Sequence, residues 1–120
     1  MKRLITILSL ALSLAGCSKE SQMKGRYTAT TSEVNFTIEL LNVKRCIGSI
    51  SGGEESSGSY YIKGDEISIS LLLTKGGILD KDYKCYGFSD NGTIQSDNTF
   101  TIIAHDMNKN KDLHCTFIKR

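Results

Sequence analysis

No proline interrupts the 120 residues, tryptophan is absent, and histidine occurs only at His105 and His114. Without proline every backbone N–H stays available to a hydrogen-bonded ladder, but one usual means of blunting a sheet edge is lost. A closed zinc site takes four N or S ligands, so two histidines do not suggest a metalloprotein. A run long enough for a membrane-spanning helix is also lacking. The longest apolar run, Leu4 to Ala15, covers 12 residues, against the roughly 20 a spanning helix needs. Nor does one charge dominate: with Lys2 and Arg3 set aside, 13 basic residues face 13 acidic ones. That balance offers no basic footprint for nucleic acid and no strong net steering field.

What the first residues do contain is a positive start, Lys2-Arg3, a short uncharged core, and Leu14-Ala15-Gly16-Cys17. The length and flanks suit a signal peptide. The tetrapeptide resembles the lipobox of bacterial lipoproteins. The resemblance implies cleavage before Cys17, acylation of its sulfur and then usually of its new N-terminal nitrogen, and anchoring in the cell envelope. A single acyl chain binds membranes reversibly, whereas two or more hold firmly, at about 0.8 kcal/mol per buried CH2. In that family aspartate after the cysteine favours retention in the inner membrane, so Ser18 implies the outer membrane. The expected organisation is a signal peptide over 1–16, a lipidated cysteine and polar tether over 17–24, and one β-rich domain over 25–120.

From Gly25 onward the apolar pattern has a period of two. Val34, Phe36, Ile38 and Leu40 alternate with Asn35, Thr37 and Glu39, and Ile67, Ile69, Leu71 and Leu73 alternate with Glu66, Ser68 and Ser70. Such alternation predicts strands with one buried face. Strands are expected near Gly25 to Thr31, Val34 to Leu41, Val43 to Ile50, Ser57 to Ile62, Glu66 to Thr74, Tyr83 to Phe88, Thr99 to Ala104 and Leu113 to Lys119. The Gly, Asn, Asp and Ser clusters between them are too short for parallel crossovers and predict antiparallel hairpins. The fold expected is an all-β antiparallel meander of about eight strands, a sandwich or a small barrel, with the barrel preferred because closure removes exposed edges.

With Cys17 given to lipid, Cys46, Cys85 and Cys115 remain, in a compartment where disulfides persist. Alternation places Cys85 and Cys115 inward and favours that pair, while Cys46, in phase with Ile50, can replace either partner. A bridge closing a loop of about 30 residues is worth roughly 3–4 kcal/mol on the chain-entropy argument.

Catalytic patterns are not assembled. Asp80-Lys81-Asp82 opens like a calcium loop, but the turn glycine is missing, with Cys85 at its place. Gly48-Ser49-Ile50-Ser51-Gly52 has isoleucine where a nucleophile elbow has serine. Glu54 with Glu55, and Asp65 with Glu66, fall in expected turns as solvated charges. No catalytic residue, metal ligand or cofactor other than the covalent lipid is expected, and the chain does not read as an enzyme.

Binding is favoured instead. Leu72 is out of phase with the core of its strand, and Ile78 and Leu79 follow Gly76-Gly77 in a polar connection, so an apolar contact surface is expected there. Ser57-Gly58-Ser59-Tyr60-Tyr61 with Lys63-Gly64-Asp65-Glu66 resembles fragments of the motif of lipid-anchored inhibitors of c-type lysozyme, which are small disulfide-bearing β-barrels. That resemblance covers about ten residues and nominates Ser57 and Lys63 as contacts with the lysozyme cleft, although the tryptophan of that family is missing. The function expected is a lipid-anchored envelope protein whose β-domain binds another protein. The alternatives are an inhibitor of host or phage lysozyme, an exclusion factor or pilotin-like escort, and a passive structural component.

Overall fold

The computed structural model describes residues 21–120, so the tetrapeptide that resembles a lipobox, with Cys17, and the Ser18 after it lie outside the described residues. Ten strands form among them: β1 (Gly25–Thr30), β2 (Asn35–Leu40), β3 (Arg45–Ile50), β4 (Ser56–Lys63) and β5 (Glu66–Ser70). These are followed by β6 (Leu72–Lys75), β7 (Lys84–Phe88), β8 (Gly92–Ser96), β9 (Thr99–Asp106) and β10 (Lys111–Lys119). All pairings are antiparallel, in the order β10-β1-β2-β3-β4-β5-β8-β9-β7-β6, and β9 also pairs with β10. The β9–β10 ladder therefore closes an eight-stranded barrel, with the β6–β7 hairpin continuing alongside the second half of β9. Of the two architectures the alternation allowed, the barrel is the one formed.

The expected strand from Glu66 to Thr74 is broken at Leu71. β5 pairs with β8 at Glu66 and Ile67, and the chain then bends so that β6 pairs with β7. Space explains the bend. Leu71 packs against Gly48 and Gly58, on β3 and β4, where a Cβ would approach its methyl carbons to 2.9 Å and 3.1 Å. The wall opposite Leu71 is thus made of bare backbone, and glycine in a strand commonly marks such close approaches. β8 was not expected, because Gly92-Thr93-Ile94-Gln95-Ser96 carries a single strongly apolar residue. It forms because β5 and β9 each present it an edge, with a register irregularity between Ile94 and Ser96.

Val43 and Lys44, expected in a strand, form a tight turn instead. Both have left-handed backbones, φ 58° and 59°, and Arg45 N–H donates to the Asn42 carbonyl at 3.3 Å. Two consecutive residues at positive φ give the hairpin turn whose twist suits the flanking strands. A side chain in that region costs about 1–2 kcal/mol, and for a β-branched valine the conformation is a genuine outlier.

The core fills the barrel interior. Phe36 meets Tyr86 and Phe88 edge-on at 5.1 and 5.5 Å, Phe100 stacks on Phe117 at 5.0 Å, and Tyr27 meets Phe100 at 4.9 Å. Met23, placed in the tether by the sequence pattern, is 1 % exposed and belongs to this core. The described residues 21–23 are helical and end at Met23, where the Tyr27 hydroxyl donates to the Met23 carbonyl oxygen at 2.7 Å. One apolar residue in a polar segment is enough to stitch that segment to an open barrel mouth.

Candidate functional site: the two ends of the barrel

Strand direction sorts the loops into two ends. The β1–β2, β3–β4, β6–β7 and β9–β10 turns share the far end. The N-terminal entry, the β2–β3, β4–β5 and β8–β9 turns and the C-terminus share the entry end.

At the far end, the β6–β7 connection is held by Asp80, whose carboxylate accepts from Gly77 N–H at 2.7 Å and whose own N–H donates to the Gly77 carbonyl at 2.9 Å. Gly76 adopts φ 86°, a conformation that opens the turn for this carboxylate. The turn holds Ile78 and Leu79 in water, 81 % and 98 % exposed. Leu72 sits lower on the same hairpin, half exposed, and converges with Met107 over Gly87. Leu72, Ile78 and Leu79 are thus all exposed apolar side chains, and Met107 of the β9–β10 turn, whose sequence neighbours gave no signal, meets Leu72 over Gly87.

Beneath these loops a polar network ties the far end together. Glu33, from the β1–β2 turn, pairs with Lys111 of β10 and accepts from the Tyr86 hydroxyl at 3.3 Å. The hydrogen bond from Lys111 holds the Glu33 carboxyl below its usual range. Burial, followed by the charges of Asp106 and Glu33, pushes the Tyr86 phenol up to about 12. Asp106, 4 % exposed, accepts from the N–H groups of Asn108 and Lys109 at 3.0 and 3.1 Å. A carboxylate accepting two backbone donors fixes the β9–β10 turn from inside.

Ser57 and Lys63 are both exposed but occupy opposite ends of β4, about 20 Å apart at ~3.3 Å per residue. They do not form adjacent loops. The side of the barrel between them carries a hollow of about 650 Å³, with Ser59, Ser68, Ser70 and Ser89 beside Tyr61 and with Lys44 and Asp90 also in its lining.

The cysteines require a correction. Cys46, Cys85 and Cys115 are all free and buried. Cys46 and Cys115 face the core, but Cys85 lies outside the core cluster to which its neighbour Tyr86 belongs. Adjacent strand residues point to opposite faces, so Cys85 is directed away from Cys115 and the favoured pairing is not formed. The phase was misread because Tyr83, taken as inward on the strand, precedes β7; Tyr86 and Phe88 set the inward face. Burial raises the thiols of Cys46 and Cys115 to about 11 each.

His105 binds the Asp112 carboxylate at 2.7 Å, and the register sets His114 opposite Ile103. Among the described residues no group of three His, Cys, Asp or Glu side chains is placed to hold a metal ion. No helix of the described residues is long and apolar enough to cross a membrane.

At the entry end the chain collects cations. Lys24 donates to the Asn42 side chain at 2.6 Å and lines, with Arg45, a hollow of about 530 Å³. Arg120 N–H donates to the Arg26 carbonyl at 2.8 Å, and the Arg120 guanidinium donates to Thr28 at 2.8 Å. Lys119 lies over the Tyr27 ring at 5.6 Å. Comparison with protein-family models, with curated proteins and with solved structures finds no match.

Proposed function

We propose that this chain is a lipid-anchored bacterial envelope protein, tethered through Cys17, whose β-barrel works by binding another protein and not by catalysis. The observation that carries the binding part is the far-end turn, where Ile78 and Leu79 are 81 % and 98 % exposed on a hairpin braced by Asp80. Two adjacent large apolar side chains held in water by an ordered turn have unfavourable hydration that a partner's pocket relieves. The described residues begin and end at the opposite end, so an N-terminal anchor in the outer membrane leaves this turn directed away from the bilayer.

The test is capture from envelope extract, with lysozymes added, on full chain immobilised through its C-terminus. Wild-type protein retains a stoichiometric partner, and the pair I78S/L79S loses it by at least about tenfold, the scale of two anchors of ~1 kcal/mol or more each. Retention of a lysozyme identifies an inhibitor; retention of an outer-membrane subunit identifies an escort or exclusion factor. Equal capture by wild type and variant sinks the far-end assignment, and no capture by a folded barrel favours a passive envelope component.

A further inference from the structure

A near-zero net charge hides a separation of charge along the barrel. On the β10–β1–β2–β3 side of the entry end stand Lys24, Arg26, Lys44, Arg45, Lys119 and Arg120. Among the described residues the acidic group within this arc is Glu39, bound to Arg26 at 3.5 Å. Asp65 and Glu66 lie at the β4–β5 turn, while Asp97 of the β8–β9 turn borders the arc: its charge acts on Tyr27, and with Asp65 it lines a hollow beside Gln22 and Met23. The arc is continuous: Arg120 is tied to Arg26, Lys24 to Asn42, and Asn42 opens the turn that carries Val43, Lys44 and Arg45.

Two further observations say what this arc faces. Met23 is locked into the core, so the sequence between Cys17 and the fold is five residues, Ser18 to Gln22, and reaches at most about 17 Å at ~3.5 Å per residue. The left-handed turn also projects Val43 outward, 84 % exposed, between Asn42 and Lys44. A valine followed by two cations, Lys44 and Arg45, suits the boundary between phospholipid headgroups and acyl chains.

We infer that the arc of Lys24, Arg26, Lys44, Arg45, Lys119 and Arg120 is a membrane-facing surface that binds anionic phospholipid headgroups, with Val43 dipping between them. The inference rests on the lipid-anchor reading for the proximity of the bilayer, and on charge and geometry for the face. Basic residues near an anionic leaflet each add a modest attraction, and a polybasic patch beside an acyl anchor is an effective second membrane signal. The far-end hairpin is thereby set away from the bilayer. The barrel is held at a fixed attitude instead of tumbling on its tether.

The test uses full chain extracted from bacterial membranes and presented to vesicles of phosphatidylcholine alone or with anionic phosphatidylglycerol. Amide hydrogen exchange is followed along the chain, and the mass of Cys17 is measured separately. Exchange at Asn42 to Arg45 and at Lys24 to Arg26 slows by about tenfold or more on anionic vesicles only. The protection disappears in K24E/R45E, persists in K81E/K84E at the far end, and is lost in about 1 M salt, where the screening length is ~3 Å. If K24E/R45E fails to fold, wild-type protein in salt gives the same reading. Equal exchange on both vesicles, or protection confined to Gly76 to Tyr83, overturns the inference. Protection by inorganic phosphate alone overturns it in favour of a free-anion site. An unacylated Cys17 overturns the anchor reading and leaves the exchange pattern to decide the face.

Discussion

The Tyr27 hydroxyl donates to the carbonyl oxygen of Met23 at 2.7 Å, four residues back, and so ties the start of the fold to the barrel floor. Burial raises the Tyr27 phenol far above its usual range, so the hydroxyl stays protonated, and a donor, through neutral and moderately alkaline pH. M23A removes a side chain that is 1 % exposed and is expected to cost about 2–5 kcal/mol. Y27F leaves the carbonyl without its donor and is expected to cost about 1 kcal/mol. Urea unfolding followed by circular dichroism checks both, and M23A as mild as a surface change would place Met23 outside the core.

The Glu33–Lys111 bond gives stability a defined acid limb. Glu33 titrates below its usual value of 4.5 when folded, so between the two values the unfolded chain binds more protons and stability rises with pH. The contribution is therefore present above about 4.5 and is lost as pH falls through the lowered folded value. E33Q is expected to flatten this limb without altering the slope near neutrality. An unchanged acid limb in E33Q would assign the limb to other carboxyls.

The thiols contribute to the alkaline limb with the opposite sign, ahead of the raised phenols of Tyr86 and Tyr27. Cys46 and Cys115 hold their protons to about 11 in the fold, against a usual value of 9.0. The native state binds more protons over that interval, and stability falls as pH rises through it. Alkylation without reductant is expected to leave these thiols untouched in native protein and to modify Cys46, Cys85 and Cys115 all together after denaturation. A mass lower by two protons would instead reveal a bridge.

Leu71 occupies space that exists because two wall residues have no side chain. G48A would place a Cβ 2.9 Å from the Leu71 Cδ2 and 2.8 Å from the Thr37 carbonyl oxygen, and is expected to cost about 1–3 kcal/mol by overpacking. If the clash is the cause, L71A/G48A recovers part of the loss relative to the sum of the single changes, which a double-mutant cycle measures.

Ile78 and Leu79 touch little of the fold. I78S/L79S is expected to leave thermal stability within the range of ordinary surface changes, about ±0.5 kcal/mol, while abolishing capture. A large fall in melting temperature would show that the pair belongs to the fold and not to a contact surface.

Period-two alternation was legible for most strands because a barrel wall keeps one face dry, and the inward residues there are apolar with the exception of Asp106. It failed where another force ruled. β8 owes its place to edges offered by β5 and β9, and Val43 enters a turn because the β2–β3 hairpin closes over two residues. The phase of Cys85 depends on where β7 begins, which Tyr83 disguised. Of the candidate contacts, Ile78 and Leu79 were legible as apolar residues after two glycines. Met107 was not, because its neighbours are turn residues and its partner over Gly87, Leu72, lies on another hairpin.

By itself the sequence determined an all-β antiparallel chain, since strand period and short polar connections are local properties. It also carries Leu14-Ala15-Gly16-Cys17, whose resemblance to a lipobox lies in a linear segment. Only the tertiary structure decided that the sheet closes through β9 and β10, that Met23 plugs it, and that Cys85 and Cys115 face apart. It alone brought Lys24, Arg26, Arg45, Lys119 and Arg120 close together at the end where the chain enters, with Lys75, Lys81, Lys84, Lys109 and Lys111 at the other end. Closure, burial and the position of a charge depend on which distant strands become neighbours, and a balanced composition is silent about how its charges are arranged in space.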